Sequence, residues 1–211
     1  MIKRFTLLTM VVFLIILLPT VYAQDGNRLF SDDFSTYANT WETPNTPDYT
    51  ADYDQDNLAF FMDIRTAEQE VWSTPRSSLD LTAYVIEVTA VIDATSTADS
   101  MAGLLVNYVD EDNFYVFIIR ASGYYEVRLR LDGEWLDRPL VFGKAAQADS
   151  YRLSVQSHNG VFELGLNGEP VVPFVNTELS GGKFGLYAQS GDGSMFVRFD
   201  DYLVRDLRPE S

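Results

Sequence analysis

The chain contains no cysteine in 211 residues. That absence removes a disulfide framework, a thiolate zinc site, a cysteine nucleophile and a lipidated cysteine at an export cleavage site. Histidine is almost missing too. His158 stands alone beside Asn159-Gly160 and reads as a solvated turn residue. One imidazole supports neither a His₂ or His₃ metal site nor a hydrolase triad, and no Gly-x-Ser-x-Gly elbow is present to partner it. No glycine loop followed by lysine suggests nucleotide binding. Basic residues are scarce: 15 Lys and Arg stand against 31 Asp and Glu, for a formal net charge of -16. Such a field repels phosphate backbones and anionic membrane surfaces, which excludes nucleic acid as a partner. It suits solubility in an extracellular medium, or cation binding.

What is present begins with an export signal. Met1-Ile2-Lys3-Arg4 is a short positive region, and Phe5 to Leu18 is an unbroken run of apolar or hydroxyl residues. Pro19 ends it, and Val21-Tyr22-Ala23 puts small residues at the −3 and −1 positions of a cleavage site before Gln24. The run is shorter than the roughly 20 residues that span a bilayer. We therefore expect a signal peptide over 1–23, a short N-terminal segment over 24–28, one domain over 29–207 and a loose tail over 208–211. The expected location is secreted or extracytoplasmic, with membrane contact only through an uncleaved leader. Losing Lys3 and Arg4 leaves 13 of the 15 basic residues against the same 31 acidic ones, near -18.

The domain reads as strands and turns. Its 46% hydrophobic and 14% aromatic content can fill one core. From Leu29 onward period-2 alternation recurs and helical periodicity does not. Tyr84 to Ile92 is rich in β-branched residues. Phe114 to Ile119 is apolar on both faces, as in a covered central strand. Tyr124 to Leu131 alternates, which predicts Tyr125, Val127, Leu129 and Leu131 toward the core. Asp132-Gly133, Asn159-Gly160 and Asn167-Gly168 are two-residue hairpin signals, because these residues tolerate the positive φ of a type I′ turn. The last two make a meander of Tyr151–Val155, Val161–Leu164 and Pro170–Val172. Gly181-Gly182 and Gly191-Asp192-Gly193 punctuate two final strands, 183–189 and 195–204. Strands at this spacing predict an all-β sandwich or barrel.

Several segments carry a likeness. Phe30-Ser31-Asp32-Asp33-Phe34 precedes Trp41. Ala102-Gly103-Leu104-Leu105-Val106 leads to Asp112-Asn113-Phe114-Tyr115-Val116-Phe117. Gly123-Tyr124-Tyr125 through Gly133-Glu134-Trp135, Leu166-Asn167-Gly168, and Gly185-Leu186-Tyr187-Ala188 before Phe199-Asp200-Asp201 come next in order. This pattern resembles the concanavalin A-like lectin/glucanase superfamily, in particular its secreted laminin G-like or jelly-roll domains. The resemblance covers Phe30 to Val204 and implies a jelly-roll β-sandwich of two curved antiparallel sheets. It implies function less directly, because the superfamily holds lectins, glycosidases, sugar-binding modules and adhesion domains.

Glycosidases on this fold carry carboxylates in a pattern like Glu-x-Asp-x-x-Glu, whose alternate positions face one cleft. That pattern is absent. Asp110-Glu111-Asp112 is a turn, and Glu134 and Asp137 are spaced onto opposite faces of a strand. Two acidic sets are candidates for Ca²⁺. The resemblance implies a structural calcium between the first and last strands, where Asp33, Asp200 and Asp201 would bring like charges together. A weaker set, Asp52, Asp54, Asp56 and Asp63, follows calcium-loop spacing, but Asp is a poor twelfth ligand and 58–64 reads as a strand. The resemblance also implies a sugar site on the concave sheet or its rim, built of stacking rings and fork-like polar groups. Its candidates are Asn107, Arg120, Tyr124, Arg128, Arg130 and Trp135. Trp41 and Trp72 are assigned to the core. The leading expectation is a secreted, non-catalytic carbohydrate-binding or adhesion module whose partner is a glycan or polysaccharide. The alternatives are a glycoside hydrolase-like enzyme on the same fold, and an envelope structural domain that binds another extracellular protein.

Overall fold

The computed structural model describes residues 27–208 apart from Ser78 and Asp80. The predicted leader and the last three residues of the tail lie outside the described residues. Among those described there are sixteen strands and no helix: β1 (Asn27–Asp32), β2 (Tyr49–Asp54), β3 (Ala59–Ile64), β4 (Glu70–Ser73), β5 (Ala83–Ile92), β6 (Met101–Asp110), β7 (Asn113–Arg120), β8 (Tyr124–Leu131), β9 (Glu134–Trp135), β10 (Val141–Lys144), β11 (Tyr151–His158), β12 (Val161–Leu166), β13 (Glu169–Pro170), β14 (Phe174–Val175), β15 (Lys183–Gln189) and β16 (Met195–Asp206).

They form two antiparallel sheets. The first runs β13-β12-β11-β5-β16-β3-β2, with β14 added to β12 and β1 added to β16. The second runs β10-β8-β7-β6-β15-β4, with β9 added to β8. Adjacent strands such as β6, β7 and β8 are joined by short turns, whereas β5 beside β16 and β6 beside β15 pair segments far apart in sequence. This is the jelly-roll sandwich that the resemblance implies, and it meets the all-β expectation drawn from alternation and turn spacing.

Alternate residues of both sheets fill one core. Tyr84, Ile86, Val88 and Ala90 of β5 face Tyr115, Phe117 and Ile119 of β7 and Leu104 and Val106 of β6 within a single buried cluster. Val127 and Leu129 of β8 are buried in it, with Tyr125 and Leu131 packed against its margin. One end is aromatic: the Trp41 ring lies 4.7 Å from Tyr202 and 5.5 Å from Phe60. There the Asp32 carboxylate accepts from Trp41 Nε1 at 3.1 Å, Thr40 Oγ1 at 2.9 Å and the Phe34 amide at 2.8 Å. The three hairpin turns carry positive φ at Asp132 and Gly133, Asn159 and Gly160, and Asn167 and Gly168, as type I′ geometry requires.

Two bulges set the register near the candidate residues. In β6, Asn107 takes a φ of 48° where the pairing shifts. In β16, Asp201 takes a φ of 52° where β16 exchanges its neighbour β3 for β1. An extra residue shifts the inward parity of the strand beyond it. Phe199 and Tyr202 accordingly both reach the core across the bulge at Asp201.

Candidate functional site

The outward face of the second sheet departs from ordinary polar alternation. Met101, Leu105, Phe114, Val116, Ile118 and Tyr187 point away from the main core, yet all are buried in a second apolar cluster. Trp72, Tyr108 and Trp135 pack around it. The Phe114 ring is the hub, 5.8 Å from Trp72, 5.4 Å from Trp135 and 6.3 Å from Tyr187.

Charged side chains cover this floor. Glu70 on β4 accepts from Arg130 Nη1 at 2.9 Å and from Trp135 Nε1 at 2.8 Å. Three strands, β15, β6 and β7, lie between β4 and β8. In a flat sheet that separation is about 19 Å, at roughly 4.8 Å per strand, beyond the reach of both side chains. The sheet must therefore curl, with this face concave, and Glu70 and Arg130 strap its two sides together. Beneath the strap, burial first and then the neighbouring Glu70 carboxylate raise the Tyr187 phenol well above its ordinary pKa, so it stays protonated.

The strap leaves a cleft on each side. One, of about 380 Å³, lies along β4 and is lined by Glu42, Pro44, Tyr49, Glu70, Trp72 and Arg76. The other, of about 570 Å³, lies over β8 and β10 and is lined by Arg120, Glu126, Arg128, residues 136–139 and Phe142. In this second cleft Glu126 is only 5% exposed, and its Oε1 accepts from Arg120 Nε at 2.6 Å. Arg128 lays its guanidinium 4.5 Å from the Trp135 ring centroid, and its Nε lies 4.0 Å from Glu126 Oε2, beyond hydrogen-bond reach. Phe142 is paired opposite Glu126 and is 59% exposed. It stacks on Tyr124 at 5.3 Å with an interplanar angle of 13°, and Lys144 Nζ lies over the Tyr124 ring at 5.6 Å. A flat apolar platform thus stands beside a row of guanidinium forks.

Five of the six predicted sugar-site residues share this concave side: Arg120, Tyr124, Arg128, Arg130 and Trp135. Arg130 serves in the strap and Trp135 beneath Arg128. Asn107 does not join them. Strict alternation would turn it outward, but the β6 bulge turns it in, where Tyr84 donates to its Oδ1 at 2.7 Å and its Nδ2 donates to the Leu179 carbonyl at 3.2 Å. Trp72 is the converse correction, because it lies on the outward floor and not in the main core. Glu70, Glu126 and Phe142 escaped the sequence reading. Phe142 follows a hairpin and a proline loop, a weak strand signal, while Glu126 alternates visibly with Arg128 and could have been found.

Neither acidic set forms a metal cage. Among the described residues no three acidic or histidine side chains converge as metal ligands do. Asp52 and Asp54 lie on β2 and Asp63 on β3, with Asp56 in the hairpin between them, so the segment is a ladder and not a wrapping loop. Asp54 pairs with Arg198 at 3.0 Å and Asp63 with Arg65 at 2.7 Å. Asp33 is bonded by the Ser35 hydroxyl at 2.7 Å and the Ser35 amide at 3.1 Å. Desolvation, then repulsion from Asp201 and Asp33, raises the pKa of Asp200. The expected crowding of charge is therefore present, without a convergent ligand set.

These features define a concanavalin A-like lectin/glucanase fold. No family model and no curated protein matches the sequence. Among solved structures the chain is similar to the carbohydrate-binding module CBM66 from Bacillus subtilis, at 15% identity and a TM-score of 0.64, covering 79% of this chain and 96% of that one. It is similar to the laminarinase catalytic domain from Thermotoga maritima MSB8, at 10% identity and a TM-score of 0.64, covering 88% and 100%. A xylan β-1,4-xylosidase from Bacillus halodurans C-125 aligns at 17% identity and a TM-score of 0.63, over 83% of this chain but 39% of that one. At such identities the likeness is one of fold.

Proposed function

We propose that the protein is an exported carbohydrate-binding module whose ligand sits in the cleft over β8 and β10. The observation that carries this reading is the exposed Phe142–Tyr124 platform beside Arg120, Glu126 and Arg128. An aromatic ring accepts the C–H face of a pyranose, and fixed polar groups beside it read the hydroxyls. The apolar floor and the strap keep that geometry rigid before ligand arrives, which lowers the ordering cost of binding. A carbohydrate-binding module among the similar folds supports the reading.

Binding is favoured over hydrolysis by the state of the carboxylates on this face. Glycoside hydrolysis needs two carboxyl groups flanking one bond, one as acid and one as base or nucleophile. Glu70 is held by Arg130 within the strap itself, and Glu126 is held by Arg120 in the cleft over β8 and β10. Export through the predicted leader (1–23) would bring the module to extracellular polysaccharide.

A glycan array probed with the purified protein in calcium, and again in EDTA, tests this reading. Binding to a defined polysaccharide class, lost in a folded Phe142→Ala variant, is the expected result. Binding that also vanishes in EDTA would add a calcium site to the account. No binding in either buffer by folded protein would transfer the role to protein recognition, and release of reducing sugar would make the protein an enzyme.

A further inference from the structure

Resting on that reading, we infer that the β8–β10 cleft selects sugars bearing an oxyanion, the carboxylate of a uronate or a sulfate ester. The argument starts from hydrogen-bonding capacity that the protein itself leaves unused. Arg120 is partly engaged, its Nε bonded to Glu126 and its Nη1 to the Asp99 carbonyl at 3.4 Å. Arg128 is less so: its guanidinium lies over the Trp135 ring, a contact that uses none of its five N–H groups, and Glu126 Oε2 is too distant to accept from it. Arg138 lines the same cleft from the 136–139 loop and makes no hydrogen bond or ion pair among the described residues. Two open forks therefore border one cleft, one of them lying over an indole.

A neutral sugar offers hydroxyls, each of which meets a single N–H. A carboxylate or sulfate offers two coplanar or near-coplanar oxygens at the spacing of a guanidinium edge, and such bidentate, charge-assisted bonds are about twice as strong as neutral ones. The partial burial of Arg128, whose side chain is 23% exposed, reduces solvent screening of that pair. The chain's charge of -16 does not oppose this. Fields from the distant acidic surface are screened beyond roughly 10 Å at 0.1 M salt, whereas contact pairs in the cleft are not. The cleft itself sets Arg120, Arg128 and Arg138 against Glu126 and Asp137, so its arginine donors are in local surplus.

The test compares oligogalacturonides with their methyl esters, which keep the ring and remove the charge, by calorimetric titration of the purified protein at 0.1 M salt. A second arm compares sulfated galactan oligosaccharides with their desulfated forms. We expect the acid, the sulfate or both to bind at least about tenfold more tightly than the uncharged counterpart. Arg138→Gln, a change in an exposed loop, should lose part of that ratio without moving the melting temperature. Arg128→Lys should keep the charge but lose the fork and a further part, and Arg128→Gln with Arg138→Gln should bring the ratio to about twofold or less. Which arm shows the preference identifies the oxyanion. Equal affinity for charged and uncharged oligosaccharides overturns this inference and leaves glycan binding standing. Binding to none of the four, with neutral glucans also inactive on the array, removes both.

Discussion

The outward faces of the two sheets are built on opposite plans. On the first sheet, ion pairs are local: Arg152 meets Glu87 of the adjoining strand at 3.0 Å, Arg65 meets Asp63 two residues away, and Arg198 reaches Asp54 across one strand. An aromatic contact there, Phe61 on Phe196 at 5.7 Å, sits under the Arg198 guanidinium and stays half-buried. On the second sheet, one carboxylate spans three strands, and an apolar floor beneath it is buried as fully as the main core. The difference comes from curvature. A convex face spreads its side chains into water, where charge pairs contribute little. A concave face brings distant strands together, so the same residue types become a second core with two clefts at its margins.

The sharpest way to break this comparison is to remove one ring from each face. Phe114→Ala should cost about 3–5 kcal/mol of unfolding free energy in urea, as for a core phenylalanine. Phe61→Ala should cost about 1 kcal/mol, since that ring keeps much of its solvent contact. Equal costs would mean that the concave floor is not a core. Next in size is the strap. Glu70→Ala leaves Arg130 and Trp135 Nε1 without their acceptor and should cost about 2 kcal/mol, whereas Asp63→Ala, on a pair that is about a third exposed on each side, should cost under about 0.5 kcal/mol. Glu70→Gln should recover part of the loss, because an amide oxygen still accepts from the indole.

Affinity gives a smaller effect. Phe142→Ala should weaken glycan binding about fivefold to tenfold with little change in melting temperature, while Val175→Ala, at a site 72% exposed on the first sheet, should change neither. The smallest effect concerns pH. The Asp200 pKa is raised by desolvation and then by Asp201 and Asp33, so its ionisation costs stability that returns as pH falls below the folded value. Asp200→Asn should therefore raise the melting temperature at neutral pH, and the gain should close on acidification. Asp54 has the opposite sign. Its desolvation is outweighed by bonds from Arg198 and Asn57, which lower its pKa, so its contribution is present at neutral pH and lost as pH falls through that lowered value.

Much of the fold was legible because it is written in local chemistry. The Asn-Gly and Asp-Gly pairs specify their turns by backbone conformation, and alternation in Tyr124–Leu131 specifies which side is core. The two-sided apolarity of Phe114–Ile119 announced a covered central strand, and β7 is one. What alternation cannot announce is which face a lone tryptophan takes in a four-residue strand, hence the misassignment of Trp72. Nor can it register a bulge, because a single left-handed residue reverses the parity of its strand and carried Asn107 inward. Glu70 was invisible for a third reason: its partnership with Arg130 exists only once the sheet has curled.

Chemical-shift mapping of the ¹⁵N-labelled protein, titrated with the tightest-binding oligosaccharide, tests the central claim most directly. Perturbations concentrated on Arg120, Glu126, Arg128 and 136–142, including the Arg128 side-chain Nε–H, are the predicted result. Perturbations centred on the first sheet, or spread over the surface without saturation, would contradict it.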